Sequence, residues 1–507
     1  MQKAGGLSPG AARSVAFETG VPEAEVYGTG SFYSLLARPD TKVRVCNGLS
    51  CRLAGADELL GSTQRAGLPV ETCSCLAACD AAPAALRDRA LLPRLTQSDV
   101  ESCGGDWTRL TSSAATASAP TYCPGPVFDL AGEPDPSAPA FQKAIEIGPD
   151  AVIGELEASG LQGRGGAGFP AHRKWRAVRT QLDPTRYVVL NADEGEPGTF
   201  KDRDLLLRRH DLVLEGLAIA AFVVGAEDVY LYLRGEFETP GRLLEEVLAQ
   251  AEGRFPGIRF HVHYGHGSYV CGEETALLEA LEGKRGMPRH RPPYPVERGL
   301  WGRPTLMHNV ETIAAVSAIV LRGGAWFRGL GRSEPGSKLY SVSGHVERPG
   351  NYELPMGVSL DELVEAAGGY VGELKAFSPG GASSGFLPAS ERTRPLDFRS
   401  LAEVGCMLGS AGVVVLNQSV DMRAAALTQL RFFEAESCGQ CAPCRIGTHY
   451  LREALERHGS TGDSPDALAH TAEVAWQLNE GSICGLGQTA ALPLTSALKY
   501  FPREFRA

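Results

Sequence analysis

The sequence predicts a multidomain α/β protein that ends in a helical bundle, and three observations carry that prediction. At 507 residues the chain is about three to four times the length of a ~150-residue domain, so it holds several cores. Over most of its length the hydrophobic pattern switches between strand and helix periods, as in sheets crossed by helices. From Met422 onward only helical spacing remains, and there the densest group of the 13 cysteines sits.

The elements follow in order. Gly10 to Val26 reads as a helix broken at Pro22, and Lys42 to Cys46 alternates like a strand, giving a mixed α/β start. Residues 88–138 are crowded with Ser, Thr, Pro and Ala, the composition of a linker that wraps or bridges. Beyond it, Tyr187–Leu190 and Val229–Leu233 read as strands and Asp211–Ala221 as a helix, an α/β sheet with crossovers. Strands Leu339–Val342 and Val413–Leu416 then bracket a helix over Ser359–Ala367, with Asp361 and Glu362 in its first turn, so a small mixed sheet is expected. In the tail, Leu427, Leu430 and Phe433, then Leu451 and Leu455, then Leu492 and Leu498, keep a bundle's spacing.

Composition excludes several classes of function. Hydrophobic residues make up 43% and charged residues 21%, ordinary globular usage that rules out a disordered, collagen-like or coiled-coil chain. A net charge of −11 gives no electrostatic reason to seek nucleic acid. The longest apolar stretch, residues 212–226, contains Glu215 and falls short of the ~20 residues of a membrane span. No apolar run follows a basic start at the N-terminus, so no secretory signal is expected and a cytoplasmic location is.

Short-spaced cysteines in a large chain point to metal or cluster ligation more than to disulfides. Cys438, Cys441 and Cys444 fall within seven residues, and Cys484 follows after 39 more. Three thiolates from one loop and a fourth from a later helix end suit the corners of a four-iron cluster; a zinc site or an unliganded set is the alternative. Cys46 and Cys51, with Cys75 and Cys79, form a C-x4-C and C-x3-C pair compatible with a two-iron cluster, although Cys73 lies beside the second pair and a cluster-free fold is the alternative. Cys103, Cys123, Cys271 and Cys406 are isolated and read as packing residues.

Three other stretches suggest a ligand. Gly163-Arg-Gly-Gly-Ala-Gly-Phe-Pro170 lets the backbone approach a flat or phosphorylated molecule and present N–H groups to it. It matches neither the dinucleotide fingerprint nor the phosphate loop, and a tight structural turn is its bland reading. Asn191 to Arg203 follows a buried strand, where α/β sheets bind ligands. Tyr269-Val-Cys-Gly-Glu-Glu274 places Glu273 and Glu274 before an apolar helix, either as caps or as acceptors for ribose hydroxyls.

Together with Asn309-Val-Glu-Thr312 and the Cys438 to Cys484 set, these motifs resemble, in its order, the flavoprotein subunit of respiratory complex I. The same likeness extends to its soluble relatives, the diaphorase subunits of NAD-linked hydrogenases and formate dehydrogenases. It covers roughly residues 140 to 507. The N-terminal part, from Glu23-Ala-Glu-Val-Tyr27 through Phe32-Tyr33 and the paired cysteines, is similar to the thioredoxin-like two-iron subunit that accompanies this flavoprotein, so the chain looks like a fusion of the two. The division this implies is a thioredoxin-like 2Fe-2S domain over 1–87, a linker over 88–138, an FMN- and NAD(H)-binding α/β domain over 139–335, a β-grasp domain over 336–420 and a helical bundle with a 4Fe-4S cluster over 421–507.

By the same resemblance, Gly163, Arg164, Gly165, Gly166, Lys174, Asn191, Asp193, Tyr269, Gly272, Asn309 and Thr312 surround FMN, and Phe169, Glu196, Glu274, Arg291 and Tyr294 meet the nicotinamide nucleotide. Glu194, Glu273, Met307 and His308 complete the implied cofactor-binding set. Arg291 and Tyr294 stand where the family carries Lys and Phe, and His308 where it carries Asn. The implied activity is hydride transfer between NAD(H) and FMN, with single electrons passing between FMN and the clusters. Hydride transfer asks for no catalytic side chain, only binding and orientation. Ser341 to Gly350 resembles the family's β-grasp insert, taken as a spacer. Expected partners are the iron–sulfur and catalytic subunits of a larger redox complex of the formate dehydrogenase, hydrogenase or complex I type. The alternative is a non-catalytic electron-wiring or assembly subunit that has lost flavin turnover, which the intact motifs oppose.

Overall fold

The computed structural model describes residues 4–113, 124–251, 253–460 and 465–505. A first sheet orders β1 (Val43–Cys46), β2 (Val70–Cys73), β3 (Ala85–Arg87) and β4 (Ala90–Leu92) as β2-β1-β3-β4, with β1 parallel to β2 and antiparallel to β3. Val43 and Val45 anchor its core with Leu59 of the Ala56–Arg65 helix and Leu86. The linker expected from residue 88 begins too early. β3 and β4 form one hairpin, and the Gln97–Ser102 helix, capped by Thr96 and Asp99, seats Val100 and Cys103 in the same core. Polar composition hid a segment whose Leu92, Leu95, Val100 and Leu110 are buried in that core. Cys123 and the middle of that linker lie outside the described residues.

The second sheet is entirely parallel, in the order β7-β6-β5-β8, from β5 (Tyr187–Ala192), β6 (Asp228–Leu233), β7 (Arg259–Tyr264) and β8 (Thr305–Asn309). Helices cover it, His210–Val224 and Val310–Arg322 being almost wholly buried, as a parallel sheet wrapped on its faces requires. Its register sets Asn191 of β5 opposite Asn309 of β8 at the strands' C-terminal ends. β7 and β8 carry His, Arg and Thr among their apolar residues, which conceals them from a periodicity reading.

β9 (Ser337–Gly344), β10 (Gly350–Pro355), β11 (Leu374–Ser378), β12 (Leu387–Pro388) and β13 (Gly412–Asn417) form a mixed sheet in the order β10-β9-β13-β11-β12. Ser359 and Glu362 cap its Leu360–Ala366 helix reciprocally, satisfying N–H groups that a helix start leaves open. The last helices, Met422–Glu436, Ala442–Ser460, Thr471–Gly481 and Leu492–Tyr500, pack Leu430, Phe433, Leu451 and Leu494 into one core that also takes Leu49 of the first domain and Val270 and Ala276 of the second. Among the described residues no helix is long and apolar enough to cross a membrane.

Candidate flavin and cluster sites

The Gly-rich loop is closed at its base by Gly163 N–H to the Phe169 carbonyl at 2.8 Å and by the Gln162 to Pro170 bridge. Gly168 turns at φ 63°, where an L side chain is strained. A Cβ on Gly165 would sit 3.0 Å from Cβ of Asn309, so only glycine lets the loop lie this close to the end of β8. The Arg164 N–H donates to Thr312 Oγ1 at 2.8 Å, while its fully buried guanidinium turns away to the Pro335 carbonyl at 3.1 Å. Phe169 and Tyr294 are 46% and 50% exposed, two flat faces left uncovered.

Asn191 Nδ2 donates to the Gly272 carbonyl at 2.7 Å, which ties the end of β5 to the Tyr269–Gly272 turn. Asp193 Oδ2 is buried without a hydrogen-bond partner, and burial holds that carboxyl well above its usual range. Glu196 accepts from the Tyr269 hydroxyl at 2.5 Å and from Ser383 N–H and hydroxyl at 2.8 and 2.9 Å. Lys174 meets Glu274 at 2.6 Å and Arg291 meets it at 3.4 Å. His308 Nε2 accepts from the Trp175 indole at 2.9 Å, and burial with Lys174 nearby lowers its imidazole to about 3, so the ring is neutral.

Three residues of the implied set are engaged elsewhere. Glu194 accepts from the N–H groups of Asp202 and Arg203 at 2.8 and 3.0 Å and caps the Lys201–Arg208 helix; burial pushes its carboxyl up to about 8. Glu273 caps the Glu274–Leu281 helix through Thr275 and Ala276. Both occupy helix N-termini, whose open N–H groups draw carboxylates. Met307 packs among Val189, Tyr232 and Leu278 in an apolar cluster. Conversely, Lys201, Asp202, Glu311 and Ser383 enter the site although the motifs alone assign them no role. Lys201, Asp202 and Glu311 lie inside the Asn191 to Arg203 and Asn309 to Thr312 stretches, where their charge in an apolar setting was the available signal.

Cys46, Cys51, Cys75 and Cys79 are all buried. Cys75 and Cys79 sulfurs are 3.6 Å apart, and the free Cys46 thiol lies within hydrogen-bonding reach of Cys51 and Cys75. Hydrogen bonds from Cys46 and Cys79 hold the Cys75 thiol well below its usual range. Cys438, Cys441, Cys444 and Cys484 line one small pocket with Val270, Pro288 and Leu486. Burial pushes Cys444 up to about 12 and Cys484 up to about 11. Among the described residues no three His, Cys, Asp or Glu are arranged to hold a single metal ion; a four-iron cluster differs in offering each of four thiolates its own iron, and a two-iron cluster in offering one iron to each pair. Four soft donors in each set, an orphaned Asp193 oxygen and a cradle that a Cβ would fill fit two iron–sulfur clusters and a flavin. Cys103, Cys271 and Cys406 lie in separate apolar cores.

Comparison with known proteins agrees with this geometry. Family models match as a Nuo51 FMN-binding domain over residues 156–318, an NADH-ubiquinone oxidoreductase-F iron-sulfur binding region over 424–507, an SLBB domain over 339–387 and a thioredoxin-like 2Fe-2S ferredoxin over 1–103. The NADH-quinone oxidoreductase F 2 subunit of Rhizobium meliloti is 46% identical over 387 residues, 73% of this chain and 91% of the relative. The NADH-quinone oxidoreductase F subunit of Mycobacterium bovis is 42% identical over 386 residues, 73% of this chain and 86% of the relative. A chain of the NAD+-reducing [NiFe]-hydrogenase in its H2-reduced state superposes with a TM-score of 0.91 at 34% identity, covering 99% of this chain and 90% of that one. The chain belongs to the family of NADH-quinone oxidoreductase F subunits, with a thioredoxin-like 2Fe-2S domain joined ahead of the flavoprotein.

Proposed function

We propose that this chain exchanges hydride between NAD(H) and FMN and passes electrons singly to its iron–sulfur clusters, as the diaphorase module of a larger redox complex. The observation that carries this reading is Glu436. Its carboxylate accepts from the Tyr269 N–H at 2.9 Å and from the hydroxyl of Ser74, which adjoins Cys75, and it stands two residues before Cys438. One side chain therefore joins the flavin wall to both cysteine sets.

FMN, when bound, takes two electrons as hydride and releases them one at a time. The residues around it hold and orient. Gly163 to Gly166, Asn191, Asp193, Gly272, Asn309 and Thr312 form the cradle, and Phe169 and Tyr294 offer flat faces to the nucleotide rings. Glu274, held by Lys174 and Arg291, accepts from a ribose 2′-hydroxyl and repels a 2′-phosphate, which favours NAD over NADP. The likeness to the hydrogenase chain, which extends over the fused N-terminal domain, favours an NAD-reducing hydrogenase or a similarly built formate dehydrogenase as the parent complex, in the cytoplasm. The partner subunits supply the hydrogen- or formate-converting centre.

The purified chain, reconstituted anaerobically, is expected to reduce an artificial dye with NADH and to give electron paramagnetic resonance signals from two clusters. Absence of dye reduction with FMN added would favour the non-catalytic alternative. Glu274→Ala is expected to raise NADP use relative to NAD by about tenfold; an unchanged preference would remove Glu274 from the specificity site.

A further inference from the structure

A chain of buried ions runs from the mixed sheet into the flavin cradle. Lys338, at the start of β9, exposes none of its side chain and donates to Glu311 Oε2 at 2.5 Å and to the Leu339 carbonyl at 2.8 Å. Glu311, equally buried, takes the Leu339 N–H at 2.9 Å on its other oxygen and a second ammonium, that of Lys201, at 3.1 Å. Lys201 continues to Asp202 Oδ1 at 2.7 Å and to Asn309 Oδ1 at 3.3 Å, and Asp202 Oδ2 takes Asn309 Nδ2 at 2.6 Å. The Asn309 amide is fixed at both ends: its oxygen takes Lys201 and, at 3.0 Å, the Glu311 N–H at the start of the Val310–Arg322 helix, and its nitrogen donates to Asp202. Its Cβ lies against Gly165.

Stability alone does not explain this chain. Well-packed hydrophobic residues hold two domains together as well as buried ion pairs do or better, because desolvating each ion costs several kcal/mol. Charged hydrogen bonds add direction, which an apolar contact lacks. Directionality here ends on one amide, and that amide faces the Gly-rich loop.

We infer that Lys338 is a positioning residue for the flavin: through Glu311 and Lys201 the β-grasp domain sets the orientation of Asn309, and the domain is part of the cradle's support rather than a spacer. This rests on the reading that Gly165 and Asn309 hold FMN.

The test is the FMN dissociation constant of the deflavinated full-length chain, followed by flavin fluorescence, with thermal unfolding of each variant alongside. Lys338→Met is expected to weaken FMN binding by about tenfold or more. In Lys338→Met/Glu311→Gln the uncompensated carboxylate is gone and much of the lost stability returns, yet FMN affinity stays low. Lys375→Met breaks an ion pair with Glu504 (2.7 Å) from another strand of the same sheet and is expected to keep native affinity. Native affinity in either Lys338 variant would overturn the inference. So would equal weakening in Lys375→Met, which would make FMN affinity a mere reflection of domain stability. A double variant that unfolds along with the single one would assign the chain a structural role and overturn it too. If the unaltered chain fails to take up FMN, the flavin reading itself falls, an outcome distinct from the others.

Discussion

Cys46, Cys51, Cys75 and Cys79 are buried free thiols gathered inside the first domain, whereas Cys438 and Cys441 are only partly buried in a pocket at the head of the helical bundle. Two arginines of the flavin domain reach into the first set's loop: Arg203 pairs with Asp80 at 3.1 and 3.0 Å and caps the Ala77 carbonyl, and Arg234 takes the Cys75 carbonyl at 2.7 Å. In the pocket of the second set the flavin domain contributes Val270 and Pro288. The first set's loop is braced from another domain and so depends on docking, whereas the second takes three thiolates from one loop and the fourth, Cys484, from the start of a later helix of the same bundle.

The largest expected effect tests whether the two sets are independent. Cys484→Ser is expected to remove roughly four irons per chain and Cys79→Ser roughly two, each variant keeping the other cluster's paramagnetic signal. Loss of both signals from either variant would break the comparison. Next, Arg203→Met leaves Asp80 buried without its partner, an effect of about 3–5 kcal/mol. Calorimetry is expected to show the N-terminal domain melting first, with the Cys438 pocket retained; a single shifted transition would mean the two regions are not separable.

A smaller effect follows from His308 in the domain between them. Burial holds its imidazole at about 3 instead of 6.5. Between those values the unfolded chain binds more protons than the folded one, so stability is full above about pH 6.5 and declines as pH falls toward 3. His308→Asn is expected to flatten that decline, seen as a smaller difference between denaturation midpoints at pH 7 and pH 5. An unchanged difference would show that other groups, such as His266, also lowered by burial, control the acid limb.

The cysteine spacings, the Gly-rich loop and the strand leading to Asn191 were legible in the sequence because each is a local pattern: most thiolates of each set lie a few residues apart, and a cradle needs consecutive glycines; the order of domains was legible through the family resemblance. Only the tertiary structure decided that Glu194 and Glu273 cap helices, that Met307 belongs to a core, that Arg164 points away from the loop it begins, and that the supposed linker holds β4 and a helix. It alone joined Lys338 to Glu311 and Arg203 to Asp80, partners 27 and 123 residues apart. The physical reason is that a polar side chain's role is set by the nearest unsatisfied donor or acceptor once water has been excluded, and chain distance carries no information about that neighbour.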